Sequence, residues 1–454
     1  MKVDLCRSKA LLVIVITFVA LTVPSRVAFG QNWSFDARTI GMGGVGSTGN
    51  LADSMIDKQR RYTSIVLPFG LFQVLGDLDI YDPNSAKFDP IRAIEYSASP
   101  IHYVIGRDRD TSAEALFVSD LRNAVFSRDL SRYRGFVPAN DILAEGLASP
   151  TWGGTIKVHR SSDGGYHGIF IGAGPYLSLH DQATFDPQLT NVLSTGVNVR
   201  NAVMPITNAD QGQVAIAITG GYRGRFALPG AISLNSSSRR DGIYVATNFN
   251  YLRGFVYEND TMRINLATDA TGLLSPASNV LVVHQDASSG TGYAIDLGVG
   301  VVVDRWEVGF GANGIANRID WTGVTQKTLA LGNLQSGNGT FVQSTTVPAG
   351  DARVVLPVDY RGNITYNADD WSATAEIGHG FGGSSFHGGY EHRVGPFAAR
   401  GGARYTFGMW NPTGGVGIDL SRKVALDVAI FGTTTNIERT RQAAIAASFR
   451  FNHF

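Results

Sequence analysis

Long stretches in which apolar and polar side chains alternate recur through this chain, and they limit its fold more than any other feature. "KVALDVAIF" (423–431) sets Val424, Leu426, Val428 and Ile430 against Ala425, Asp427 and Ala429. "TGYAIDLGVGVVV" (291–303) sets Tyr293, Ile295, Leu297, Val299, Val301 and Val303 against Asp296, Gly298 and Gly300. "RWEVGFGANG" (305–314), "RVVLPVDYRGNITY" (353–366) and "FAARGGARYTF" (397–407) alternate in the same way. In 353–366 the apolar set is Val354, Leu356, Val358, Tyr360, Ile364 and Tyr366. A period of two is the mark of a strand with two unlike faces. Several of these runs reach nine residues or more. Ordinary strands average about 5–6, whereas a tilted strand that crosses a bilayer takes about 9–11. Trp306, Tyr293, Tyr366, Phe407, Trp410 and Phe431 stand at strand ends, as aromatic girdles do at a membrane interface. A secreted β-sandwich with one wet face is the other architecture that alternation allows.

Fifteen segments read as strands: 63–75, 95–105, 152–160, 166–179, 212–226 and 241–258, then nine more between 291 and 451. Bacterial barrels take even numbers, so 14 or 16 is expected, and the first segment, which contains Pro68, is the weakest. Residues 106–150 break the pattern. Thr111 and Glu114 have capping-box spacing, and Ala113, Leu116, Phe117, Leu121, Ala124 and Val125 recur at helical spacing until Gly135 and Pro138. A second short helix is expected at 139–147. The apolar stripe of the first helix either packs on the mouth of the sheet or forms part of a hydrophobic access site. Segments 181–211, 268–290 and 322–350 are polar and rich in small residues, and read as long outer loops.

The N-terminus reads as a secretory signal. Lys2, Arg7 and Lys9 precede "ALLVIVITFVALTV" (10–23), with small residues at Ala28 and Gly30. Cleavage after Gly30 would remove four basic residues and one acid from a chain with 38 of each, leaving a net charge of about −3. That balance gives no electrostatic case for nucleic acid. Cys6, the only cysteine, would leave with the signal, so neither disulfides nor thiol chemistry are expected.

"IGMGGVG" (40–46) spells G-x-G-x-x-G, but nothing around it supplies the buried strand and following helix of a dinucleotide site. These glycines read instead as backbone folded tightly where side chains would clash. No H-E-x-x-H or G-x-S-x-G motif occurs, and no cofactor or metal is expected. His379, Ser384, Ser385 and His387 could serve a rim hydrolase, but no acid is tied to them by spacing, and an enzyme is not expected. The alternation sends Asp359, Arg361, Glu376, His387, Glu391, Arg393, Arg400, Arg404, Asp427 and Arg450 to the inner face. Both signs are present, so a filled interior with paired charges is expected rather than a wide pore.

The last strand, "RQAAIAASFRF", is regular as far as Phe451, with three residues beyond it. It is the element through which the barrel-assembly machinery would engage the chain.

"FDARTIGMGGVGSTGN" resembles the start of the mature chain in the FadL-like superfamily of outer-membrane long-chain fatty-acid transporters, which includes TraF-like and PorV-like relatives. The matching positions are Ala37, Arg38, Gly41, Met42, Gly43, Gly44 and Gly46. The run from Phe397 to Phe431 resembles the last hairpins of that group. The usual Asn-Pro-Ala segment is replaced here by "YDPNSAKFDP" (81–90), well downstream.

The resemblance implies an all-β, antiparallel transmembrane β-barrel of about 14 strands in the outer membrane, in contact with its lipids. Residues 31–62 would be a plug or hatch and 63–454 the barrel, with a helical insertion at about 111–147. It implies passage of a hydrophobic small molecule, with Arg38, Met42, Gly43, Gly44, Leu116, Phe117 and Leu121 at the hatch and ligand path. The alternative is a barrel without transport, in a structural, secretion-linked or conjugation-linked role, whose loops bind partners.

Overall fold

The computed structural model describes residues 36–44, 51–57, 62–67, 69–70, 102–105, 112–123, 125–149, 151–162, 164–228, 241–335, 341–380, 383–406, 408–433 and 441–452. The signal-like segment, the stretch 81–90, Phe407, part of the first expected strand and most of the second lie outside the described residues.

Nineteen strand segments follow one another: β1 Tyr62–Leu67, β2 Tyr103–Ile105, β3 Asp141–Ala148, β4 Trp152–Arg160, β5 Tyr166–Phe185, β6 Val203–Phe226, β7 Gly242–Ala267, β8 Asn279–Ala287, β9 Gly290–Val303, β10 Trp306–Gly332, β11 Phe341–Gln343, β12 Val347–Val354, β13 Asp359–Asn367, β14 Trp371–Gly380, β15 Gly383–Val394, β16 Phe397–Thr406, β17 Met409–Asp419, β18 Val424–Thr433 and β19 Gln442–Asn452. All join one antiparallel sheet. Some segments lie end to end along a shared neighbour: β3 and β4 along β5, β8 and β9 along β7, and β11, β12 and β13 along β10. β1 and β2 share β19 in the same way. Counted so, the described residues fill about fourteen strand positions, within the range expected of such a chain. Their order follows the chain, except that the first position pairs with the last: Thr63 faces Phe451 and Val104 faces Ala444. Among the described residues, the junction between β1/β2 and β3/β4 is the one without a pairing.

The two faces are inverted relative to a water-soluble protein. On one face Ile171, Phe249, Phe310, Ile377, Val416 and Ile430 are exposed, Ile377 to 62%. On the other, Arg361, Glu376, Glu391 and Asp427 are buried, Asp427 completely. A soluble sheet keeps charge outside, so what surrounds this one is not water alone. An aromatic row edges the outer face near the short turns. Trp306 lies 4.8 Å from Tyr366, Tyr366 lies 5.1 Å from Trp371, and Trp371 lies 5.8 Å from Tyr390, between ring centres. Trp410 forms a second group with Phe386 and Tyr405. Phe431, read as part of the girdle, turns inward instead and is buried.

One half of the sheet is tall. β5, β6, β7 and β10 have 20, 24, 26 and 27 residues, against 9 to 12 in β13–β19. The supposed loops 181–211, 268–290 and 322–350 therefore include the end of β5, the start of β6, all of β8, the end of β10, β11 and the start of β12, with a helix at 187–195. Their alternation is weak because beyond the apolar belt both faces meet polar groups, as where Asp181, Asp210 and Asp260 face one another across three strands. The ladder there is held by its neighbours, with β6 and β7 paired from Val203↔Ala267 to Phe226↔Ile243. The helix expected at 139–147 is likewise strand β3, in register with Leu177–Thr184 on the open edge of β5. A phase slip occurs at 355–358. Val354 is buried while Tyr360 is exposed, so the two do not share a face. The chain leaves the ladder there at Pro357, which has no N–H to donate.

The tall half carries its own apolar core. Helices α3 (Ser112–Asn123) and α4 (Pro187–Thr195) and a 3-10 turn (Leu130–Tyr133) gather Phe117, Phe126, Tyr133, Phe136, Phe185 and Leu189, with Leu116 and Leu121 at the margin. The ring of Phe117 lies 5.0 Å from that of Phe136 and 5.4 Å from that of Tyr133. A phenylalanine buried this completely contributes on the order of 1.5–3 kcal/mol.

Also in the tall part, His284 on β8 stands 2.5 Å from Asp260. The hydrogen bond to Asp260 raises the pKa of the imidazole, burial opposes it, and the charges of Asp260, Asp286 and Glu258 add to the rise. A raised folded pKa gives stability that is complete below the unfolded value near 6.5 and lost as pH climbs through the folded value. Amides of β7 and β8 are therefore expected to exchange faster, after correction for intrinsic rate, at pH 9 than at pH 6. His284→Gln should abolish that difference.

Candidate functional site

The N-terminal segment lies on the buried polar face. Helix α1 (Ala37–Gly41) is only five residues long and is capped by Asp36, whose carboxylate accepts from Thr39 N–H. The chain then turns through Gly43 and Gly44 at φ +81° and +83°, a conformation that favours glycine. The wall beneath is glycine as well. A Cβ on Gly389 would sit 2.1 Å from the Met42 carbonyl oxygen, and one on Gly43 would sit 2.4 Å from the Gly388 oxygen. Backbone thus lies directly on backbone, and side chains on either side would part them.

Hydrogen bonds fix the register. Gly43 N–H donates to Thr413 Oγ1 at 3.0 Å, and the Thr413 hydroxyl donates to Gly41 O. His387 Nδ1 lies 2.7 Å from Gly43 O, donating to it. Ser448 accepts from Ala37 N–H and donates to Asp36.

Charge does the rest. Arg38 grips Glu391 with two hydrogen bonds, of 2.8 and 2.9 Å. Glu391 also accepts from Arg400 at 2.6 Å and Arg393 at 2.9 Å. The chain of charges continues through Arg400 to Asp427 at 2.8 Å, and from Asp427 to Arg450 and Asp419. Gly417 leaves room for the Arg400–Asp427 pair, since a Cβ there would lie 2.5 Å from Asp427 Oδ1. On β13 and β14, Arg361 pairs with Asp359 at 3.1 Å and Glu376 at 2.7 Å. Arg404 donates to Gly432 O and sits over the Phe431 ring, 4.8 Å from its centre.

The same segment also touches a distant stretch of the sheet. Helix α2 (Leu51–Asp57) buries Ala52, Met55 and Ile56 against Tyr244, Ala246 and Val302. Farther along β7 and β9 the buried face is apolar. Trp321 is fully buried, stacks on Tyr257 at 5.4 Å, and donates its Nε1–H to Gln213 at 3.0 Å. Tyr176, Leu252, Ile319, Val324 and Val354 surround it. Gly254 and Gly290 make space for the indole, because a Cβ on either would fall within 2.6 Å of it.

The structure therefore brings Arg38, Met42, Gly43, Gly44, Glu391, Arg393 and Arg400 together. It puts Arg361 beside Asp359 on β13, and Arg404 on β16 with Arg400. Leu116, Phe117 and Leu121 lie in the separate core of the tall half. Sequence reading missed Trp321, although Gly254 and Gly290 within strands were its signal. Of the four rim candidates, His379 and Ser384 meet at 3.0 Å on the outer side, while Ser385 and His387 are buried inside. Among the described residues, no three His, Cys, Asp or Glu side chains could hold a metal ion, and no helix is long and apolar enough to cross a membrane.

No family model matches the chain, and no curated protein matches it. Solved structures similar to it include the Ralstonia pickettii toluene transporter TbuX, at 10% identity over 69% of this chain and 88% of that one, with a TM-score of 0.34. The Pseudomonas putida toluene transporter TodX is similar at 11% identity over 68% and 87%, with a TM-score of 0.31. A Rhodopseudomonas blastica porin is similar at 8% identity over 54% and 100%, with a TM-score of 0.21.

Proposed function

We propose that this chain is an outer-membrane β-barrel that admits hydrophobic small molecules, with residues 36–57 as a hatch across its interior. The inverted faces support the membrane setting: exposed Ile, Val and Phe side chains on a sheet whose charges are buried belong against lipid. The observation that carries transport is the apolar compartment around Trp321, on the inner face where a water-filled pore would have polar groups. Helix α2 packs on β7 and β9, which also frame that compartment, and α1 is held by the charges of β15–β19. One segment thereby bridges an apolar wall and a charged one. Its glycine contacts and reversible ion pairs suit a part that docks and releases.

Uptake of radiolabelled octanol and toluene by cells lacking this chain tests the proposal. Loss of the chain should lower the initial rate several-fold, and the wild type should restore it. Trp321→Arg, which buries a charge in the compartment, should not. Equal uptake with and without the chain would sink it. The extended ion pairs of β13–β19 favour a second reading, a barrel without transport whose loops bind a structural or secretion partner. That reading expects unchanged uptake and a partner recovered by crosslinking through the tall half.

A further inference from the structure

Beside the docked segment is a group of buried polar atoms that find no partner. His387, Arg404 and Asn411 face one another in one row across β15, β16 and β17. Neighbouring strands stand about 4.8 Å apart, so these residues are neighbours on the inner face. Among the described residues, His387 Nε2, Arg404 Nε and Asn411 Oδ1 each lack a hydrogen bond, as does Ser385 Oγ two residues from His387. His387 and Asn411 are almost wholly buried, at 3% and 2% exposure. Arg404 differs from Arg361, Arg400 and Arg450; among the described residues Arg223 is likewise without an ion pair, but it donates to three oxygens, those of Tyr222, Thr247 and the Asn248 amide. Arg361, Arg400 and Arg450 each contact one or two carboxylates. Among the described residues, Arg404 has only the Gly432 carbonyl and the Phe431 ring. Glu376, in the same row beyond His387, is committed to Arg361. A partly buried cation without an anion is costly, and several buried polar atoms without partners in one row call for a water, an ion or a ligand.

We propose that Arg404, with Asn411 and His387, forms a docking site for an oxyanion, the carboxylate or phosphate group of a ligand. Arg404 Nε–H and an Asn411 N–H, its amide turned, would donate to the anionic oxygens. His387, its Nδ1–H held on Gly43 O, flanks Arg404 in the row. The site therefore touches the hatch through one imidazole, and its occupation is felt at Gly43. The inference rests on the proposed function only in that a ligand must reach the interior.

Calorimetric titration of the purified full chain in detergent tests it, with inorganic phosphate, octyl phosphate and octanol as probes. Binding of both phosphates assigns the site to a free oxyanion, and binding of octyl phosphate alone assigns it to the head group of an amphiphile. In either case Arg404→Gln should weaken binding at least tenfold, and Arg404→Lys should recover part of it. Arg305→Gln, at an exposed turn, should bind as the wild type does. Arg404→Gln should also melt no lower than the wild type, since it removes an unneutralised cation. A lower melting temperature would make Arg404 a structural support and overturn the proposal. So would phosphate binding that ignores Arg404, or octanol binding with neither oxyanion. That last result would leave the transport reading standing. Failed uptake with Arg404-dependent binding intact would do the reverse.

Discussion

Glu391→Ala is expected to destabilise the folded chain by about 3–5 kcal/mol, the cost of breaking a buried ion pair from one side. The loss falls in that range because one carboxylate serves three guanidinium groups, those of Arg38, Arg393 and Arg400. Arg400 has a second acid in Asp427, but Arg38 loses both of its strongest bonds at once. Urea unfolding in detergent, followed by tryptophan fluorescence, measures the effect. The double variant Glu391→Leu, Arg38→Met should recover much of the stability, because an apolar pair of similar volume removes the charges together. A loss under about 1 kcal/mol for the single variant would show that water or other acids replace Glu391.

Gly43→Val is expected to release the docked segment altogether while leaving the sheet intact. At φ +81° a β-branched residue is strained by roughly 1–2 kcal/mol. The larger effect is steric, since its Cβ would meet the Gly388 and Ala403 carbonyl oxygens at 2.4 and 2.8 Å, both backbone atoms that cannot swing aside. With Cys6 changed to Ser, the chain has no other cysteine, so Met42→Cys is a clean reporter. Maleimide should label it slowly in the parent and at least tenfold faster with Gly43→Val. Gly402→Val should do the same from the wall side, where a Cβ would stand 2.7 Å from Gly43 N. Unchanged labelling in both would mean that backbone contact does not hold the segment.

The alternation was legible wherever a strand has one apolar and one polar side. Val424, Leu426 and Ile430 lie opposite the buried Ala425, Asp427 and Ala429, and Trp306 and Phe310 lie opposite the buried Glu307. Asp359, Arg361, Glu391 and Arg400 were legible inner residues for the same reason. Legibility failed where the surroundings stop being two-sided. The upper parts of β6 and β10 carry polar residues on both faces and looked like loops, and β7 was read only as far as 258. Helix α4 was overlooked although Asp186 caps it, Pro187 opens it and Gly196 closes it at φ +75°. The glycines of 41–44 could be read as tightly packed backbone. Their partners, Gly388, Gly389 and Gly402, could not, because contact across more than 300 residues leaves no local pattern.

The pairing of the first strand with the last has a consequence in time. Synthesis begins at the end that carries β1, but β1 has its partner only when residues 447–452 exist. Until then it is an edge open to wrong neighbours, and the chain must be carried unfinished. The same late strand brings Ser448, which holds Asp36 and Ala37. The pairing of β1 and the hold on Asp36 and Ala37 therefore both wait on β19. A chain cut short before β19 lacks both.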